Sequence, residues 1–163
     1  MAPAVPITDE QGNFLPALIE VMDLVAKAGA ILGTSHLSAA EVEKVVCLAR
    51  QRKVEKILIT HPENDPPMMP IDMQQRLAAQ GVFFERTLLS FMPPRRMTAE
   101  ILAGNIKAVG YESTILATDT GQVEYDEPVP GFIKLMKTMM SLGIPAAHIE
   151  TMVRKNPAQI WGL

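Results

Sequence analysis

The sequence predicts an α/β fold built from consecutive strand and helix units, and three observations carry that prediction. Short apolar runs at 30–34, 56–61, 82–87 and 113–118 are rich in Ile, Leu, Val and Phe and are bounded by turn signals. Amphipathic helical patterns separate them, which argues for a parallel sheet with crossover connections. A histidine or an acid stands at or near the end of each run.

The opening 1–13, rich in Pro, Gly and acids, reads as an arm or loop. Pro16 suits a first helical turn; Leu18, Met22, Val25 and Ala26 recur at helical spacing, and Gly29 stops the run. The first strand then leads to Ser35 and His36. Ser38 with Glu41 three residues on forms a capping box for a helix through Val42, Val45, Val46 and Ala49. The second strand ends in His61, and the Pro-rich stretch 62–70 must be an excursion loop. A short helix over 72–80 is closed by Gly81, and the third strand carries Glu85. After a loop with Pro93, Pro94, Arg95 and Arg96 comes a helix over 98–109. The fourth strand ends at Asp119. A loop over 121–131 and two helices, 132–142 and 146–155, joined at Gly143 to Pro145, complete the chain.

The 163 residues, 48% hydrophobic, suit one domain with a sizeable core. A net charge of −3 from interspersed acids and bases offers no basic stripe for phosphate backbones, so no nucleic-acid partner is expected. No apolar segment has the length of a membrane span and no leader pattern opens the chain. A cytoplasmic protein without a membrane partner is the expectation. The single cysteine, Cys47, fits a reducing compartment and reads as a small buried hydrophobe. Eleven methionines suggest an adaptable core and some interface cover.

His36, His61, Glu85 and Asp119 are separated by 25, 24 and 34 residues, about one unit each. In a parallel sheet all four reach the C-terminal edge, where the following loops and helix N-termini build active sites. Two imidazoles and a carboxylate converging there match the ligand set of a catalytic divalent ion with an open position for water. A single histidine is more often structural; repetition at the same place on separate strands favours function. Glu85 lies inside its strand, so it either forms an interior ion pair with a basic residue or faces substrate. His148 reads as a solvated helix residue and Arg95 with Arg96 as an exposed loop pair, although an anion clamp is open to them.

The segments Gly33-Thr34-Ser35-His36-Leu37-Ser38, Thr60-His61-Pro62-Glu63, Thr118-Asp119-Thr120-Gly121-Gln122 and Asn156-Pro157-Ala158 through Gly162-Leu163 together resemble the later part of amidohydrolase-superfamily metal-dependent hydrolases. The resemblance runs from about Gly12 to Leu163. It implies that His36 and His61 match the metal-ligating histidines of strands 5 and 6, and that Asp119 matches the strand 8 aspartate that ligates metal and takes a proton from the attacking water. Glu85 falls on strand 7, and Gln122 joins it as a substrate-facing or supporting candidate. No His-x-His pair and nothing matching strands 1 to 4 occurs. What is implied is therefore a partial, half TIM-barrel-like domain over 1–163, completed by a second copy, most simply in a dimer, or by a partner chain carrying the first half.

The leading functional expectation is hydrolysis of a small amide, lactone or ester through a metal-activated water. The ion expected is zinc first, with manganese or iron as alternatives. The competing expectation is a non-catalytic binding or structural subunit that keeps the half-barrel and lacks the first-half ligands. An open flavodoxin-like nucleotide binder ranks last, because no glycine-rich loop of the required spacing follows a strand.

Overall fold

The computed structural model describes residues 5–95, 97–125 and 127–163. Four strands, β1 (Ile31–Gly33), β2 (Lys56–Thr60), β3 (Phe83–Thr87) and β4 (Thr114–Ala117), form one sheet in the order of the sequence, every neighbouring pair parallel. Sequential parallel order is what βα units with crossover helices produce, so all four strand ends fall on one edge.

Helix α1 (Pro16–Ala28) takes proline in its first turn and ends at Gly29, whose φ of 61° is the left-handed conformation that glycine supplies cheaply. In α2 (Ala39–Gln51) the capping box is complete: Glu41 N–H donates to Ser38 Oγ, and Ser38 N–H donates to the Glu41 carboxylate at 2.9 Å. Helix α3 (Ile71–Ala78) is closed by Gly81 backbone bonding, and α4 (Ala99–Val109) starts at the Thr98 cap.

Differences from the expectation concentrate after β4. Helix α5 (Pro128–Ser141) begins four residues before the predicted 132, because Pro128 and Pro130 occupy its first turn, where a missing N–H costs nothing. The last segment is longer than predicted: α6 (Ala146–Glu150), a π turn (Thr151–Lys155) and α7 (Asn156–Trp161) follow one another directly. The π turn brings Asn156 inward, and its side-chain amide donates to the carbonyls of Tyr111 and Thr114 at 2.7 and 2.6 Å. The Asn-Pro-Ala motif thus ties the C-terminal helix to the start of β4. His148 is not a solvated helix residue, since it is half-buried with its ring stacked on Tyr111 at 3.9 Å. Cys47 is exposed rather than buried; it falls outside the inward stripe of Val42, Val45, Val46 and Ala49. The opening arm is pinned by Ile7 in the core and by a bridge between Thr8 and Phe14.

Leu32, Ile57, Ile59, Phe84 and Leu116 are buried against the helices. Alternate residues Ile31, Leu58, Thr60, Glu85, Ile115 and Ala117 are only half-buried, so the second sheet face is partly open. The core divides into two clusters. One gathers Met22, Val42, Val46, Ile57, Ile59 and Phe84; the other gathers Leu88, Leu102, Ile106, Leu116, Leu135, Met139 and Met152. Among the described residues no helix is long and apolar enough to cross a membrane.

Candidate active site

A cleft of about 980 Å³ opens at the C-terminal edge of the sheet, lined by His36, His61, Glu63, Asn64, Ser90, Arg95, Asp119 and Gln122, with Met68, Leu89 and Met97 supplying apolar wall. The strand-end loops bring these residues together from separate units, as sequence reasoning expects of parallel strands.

His36 and His61 are in ring contact, with centroids 4.8 Å apart and planes tilted by 43°. His36 is exposed, and its Nδ1 lies 3.3 Å from Ser35 Oγ. His61 is 3% exposed, and its Nδ1 has no hydrogen-bond partner. Burial pulls the His61 pKa below the ordinary histidine value; an interaction of the ring with its own backbone and the Asp119 charge oppose this, while the charges of His36 and Arg95 act with burial. A neutral imidazole is the form that ligates a metal ion, through whichever ring nitrogen carries no proton. Such an unpartnered atom inside a cleft is costly unless something binds it.

Asp119 stands at the same cleft and is exposed. Among the described residues no three His, Cys, Asp or Glu side chains are grouped closely enough to hold one ion. The structure therefore pairs the two histidines and places Asp119 at their cleft without closing a three-ligand set. Ser35, His61 and Asp119 have φ values of 52°, 28° and 56°, left-handed conformations that cost non-glycine residues about 1–3 kcal/mol each and concentrate at functional sites.

Glu85 is not a wall residue of the cleft. It lies on the open sheet face in register with Thr60 and Ile115, and burial first, then the Asp119 charge, raises its carboxyl above the usual glutamate value. The folded chain thus holds this proton more tightly than the unfolded one. The associated stability is fully present below about pH 4.5 and is lost as pH rises through the raised folded value. Urea midpoints of the native chain should accordingly fall relative to Glu85→Gln as pH rises from 4.5 to neutrality; parallel curves would refute the coupling. Gln122 lines the cleft, but its Oε1 accepts from Gly121 N–H at 3.2 Å and turns back on its own loop. Arg95 is exposed on the rim; Arg96 lies outside the described residues.

The interior ion pair anticipated for Glu85 is made by its neighbour. Arg86, on the helix-facing side of β3, is fully buried and pairs with the equally buried Glu63 carboxylate under the cleft. Its Nη2 donates to Gln74 Oε1 at 2.9 Å, its Nε to Thr114 Oγ1 at 3.4 Å, and its guanidinium lies 5.6 Å from the Phe84 ring centroid. Burial pulls the guanidinium down to about 9, and the Glu63 carboxylate supplies the counter-charge that a buried cation requires. Sequence reasoning missed this pair. The signal available was a charged residue at a helix-facing position of an otherwise apolar strand.

Residues 1–85 match the model of a family described as of unknown function, DUF6282, and the chain belongs to that family. No curated protein matches the sequence. Among solved structures the chain resembles the crystal structure of a Pseudomonas putida protein assigned as a 2-pyrone-4,6-dicarboxylic acid hydrolase. The TM-score is 0.65 at 16% identity, over 93% of this chain and 60% of that one. The chain thus has a partial TIM-barrel-like α/β fold and spans 60% of the length of its structural neighbour.

Proposed function

We propose that the chain contributes the strand-end half of a metal-dependent hydrolase site of amidohydrolase type, acting on a small amide, lactone or ester. The observation that carries the reading is the His36–His61 pair at the strand ends, with a buried and unpartnered His61 Nδ1. His36 and His61 would hold a divalent ion, zinc first, with Asp119 at the same cleft as the candidate third ligand once further units complete the site. The ion, when bound, supplies Lewis acidity toward a carbonyl oxygen. Asp119 takes the proton of the attacking water on its carboxylate, and the apolar wall of Met68, Leu89 and Met97 restricts solvent around the substrate. The fold shared with a protein assigned as a hydrolase supports this reading.

The half-open sheet face supports a second element of the proposal. Further βα units, from a second copy or from a chain carrying the first half, cover Ile31, Leu58, Ile115 and Ala117 and complete the site. Elemental analysis of the purified chain alongside light scattering tests both points together. About one tightly held divalent ion per chain or per dimer, in an assembly larger than one chain, is the expected result. A well-folded, metal-free monomer would instead favour the non-catalytic binding subunit.

A further inference from the structure

We propose that Arg86 and Glu63 are positioning residues that fix the His61 imidazole from beneath the cleft. The inference rests on the reading of His61 as a functional ligand. Arg86 grips the loop after His61 at both ends. Near the start it pairs with Glu63, two residues beyond the histidine. Near the end it acts through Gln74, whose Nε2 donates to the Met69 carbonyl at 2.9 Å while its Oε1 accepts from Arg86. Between these points the loop closes on itself: Asn64 N–H donates to the His61 carbonyl at 2.9 Å and Met69 N–H to the Pro62 carbonyl at 2.8 Å. One side chain from β3 thereby sets the path of the segment that holds His61 in its left-handed conformation.

A purely structural role does not explain this investment. Two charges are removed from water at a position on β3 where an aliphatic residue would pack, and replacement of such pairs by apolar groups is often neutral or stabilising. The unpartnered atoms are also grouped: His61 Nδ1, Glu63 Oε2 and Asn64 Oδ1 are buried without a hydrogen-bond partner within four consecutive residues. Buried, unpartnered polar atoms grouped on a loop that lines the cleft suit a preorganised ligand shell, in which outer residues orient the inner ones.

The test compares the native chain with Glu63→Met/Arg86→Met, which removes both charges together, and with Arg86→Lys, which keeps the charge and loses the fork to Gln74. Long-range proton–nitrogen spectra of the His61 ring in metal-free protein report its orientation and tautomer, and zinc titration by calorimetry reports the consequence. In the folded double variant the ring signals should move toward those of a solvent-averaged imidazole and zinc affinity should fall about 10–100-fold. Arg86→Lys should show the same ring shift in smaller degree, and it decides the question if the double variant does not fold. Unchanged ring signals in a folded variant would overturn the proposal. If the native chain binds no zinc, the metal reading fails by itself, while the ring spectra still decide whether the pair positions His61.

Discussion

Asp119→Asn should lower hydrolytic turnover by about 10²–10⁴-fold, the range associated with a lost general base, while fold and oligomeric state survive. Asparagine keeps the size and one oxygen donor but removes the negative charge and the basic site. Asp119 is exposed at the cleft mouth, so no core contact is sacrificed. The histidines should behave differently. His36→Ala and His61→Ala each delete a ligand outright, so bound metal falls first and activity follows it. Turnover of small lactones, esters and amides, measured together with metal content, separates the two patterns. Full activity in Asp119→Asn would remove the aspartate from the chemistry; destabilisation as large as that of a core deletion would make it structural.

Arg86→Met as a single change should destabilise the chain by about 3–5 kcal/mol, because it leaves the buried Glu63 carboxylate without a counter-charge. It also strips Gln74 Oε1 of its donor. The size of the loss comes from the orphaned charge more than from the missing bond, so adding Glu63→Met should recover a large part of it. Urea unfolding of the two single variants and the double variant forms the required cycle. A loss near 1 kcal/mol for Arg86→Met, with no recovery in the double variant, would mean that Glu63 finds water or another partner.

Strand order, capping and the gathering of His36, His61 and Asp119 at one sheet edge were legible in the sequence because each depends on local signals repeated at unit spacing. Ser38 with Glu41 fixes the start of α2 within four residues of chain, and a parallel sheet carries each strand end to the same side whatever the loops do. Pairings across the chain were not legible. Glu63 and Arg86 lie 23 residues apart on a loop and a strand, and hydrophobic periodicity is silent about which charges meet. The stacking of His148 on Tyr111 and the inward turn of Asn156 depend in the same way on where α6 and the π turn cross β4. The distance from Asp119 to the histidines depends on backbone conformations at the strand ends, where three non-glycine residues take positive φ. No propensity argument anticipates that.

The two hydrophobic clusters give the chain a seam, and the cleft straddles it. His36, His61 and the 62–70 loop belong to units packed on the first cluster, whereas Ser90, Met97 and Asp119 follow from units packed on the second. Local opening of a protein follows contiguous packed blocks, so hydrogen exchange should show whether this seam separates the histidine side of the cleft from the aspartate side. A ligand bridging the walls would act as a clamp, selecting closed arrangements and making the two blocks unfold as one. Occupancy of the site is therefore expected to register as increased cooperativity of unfolding.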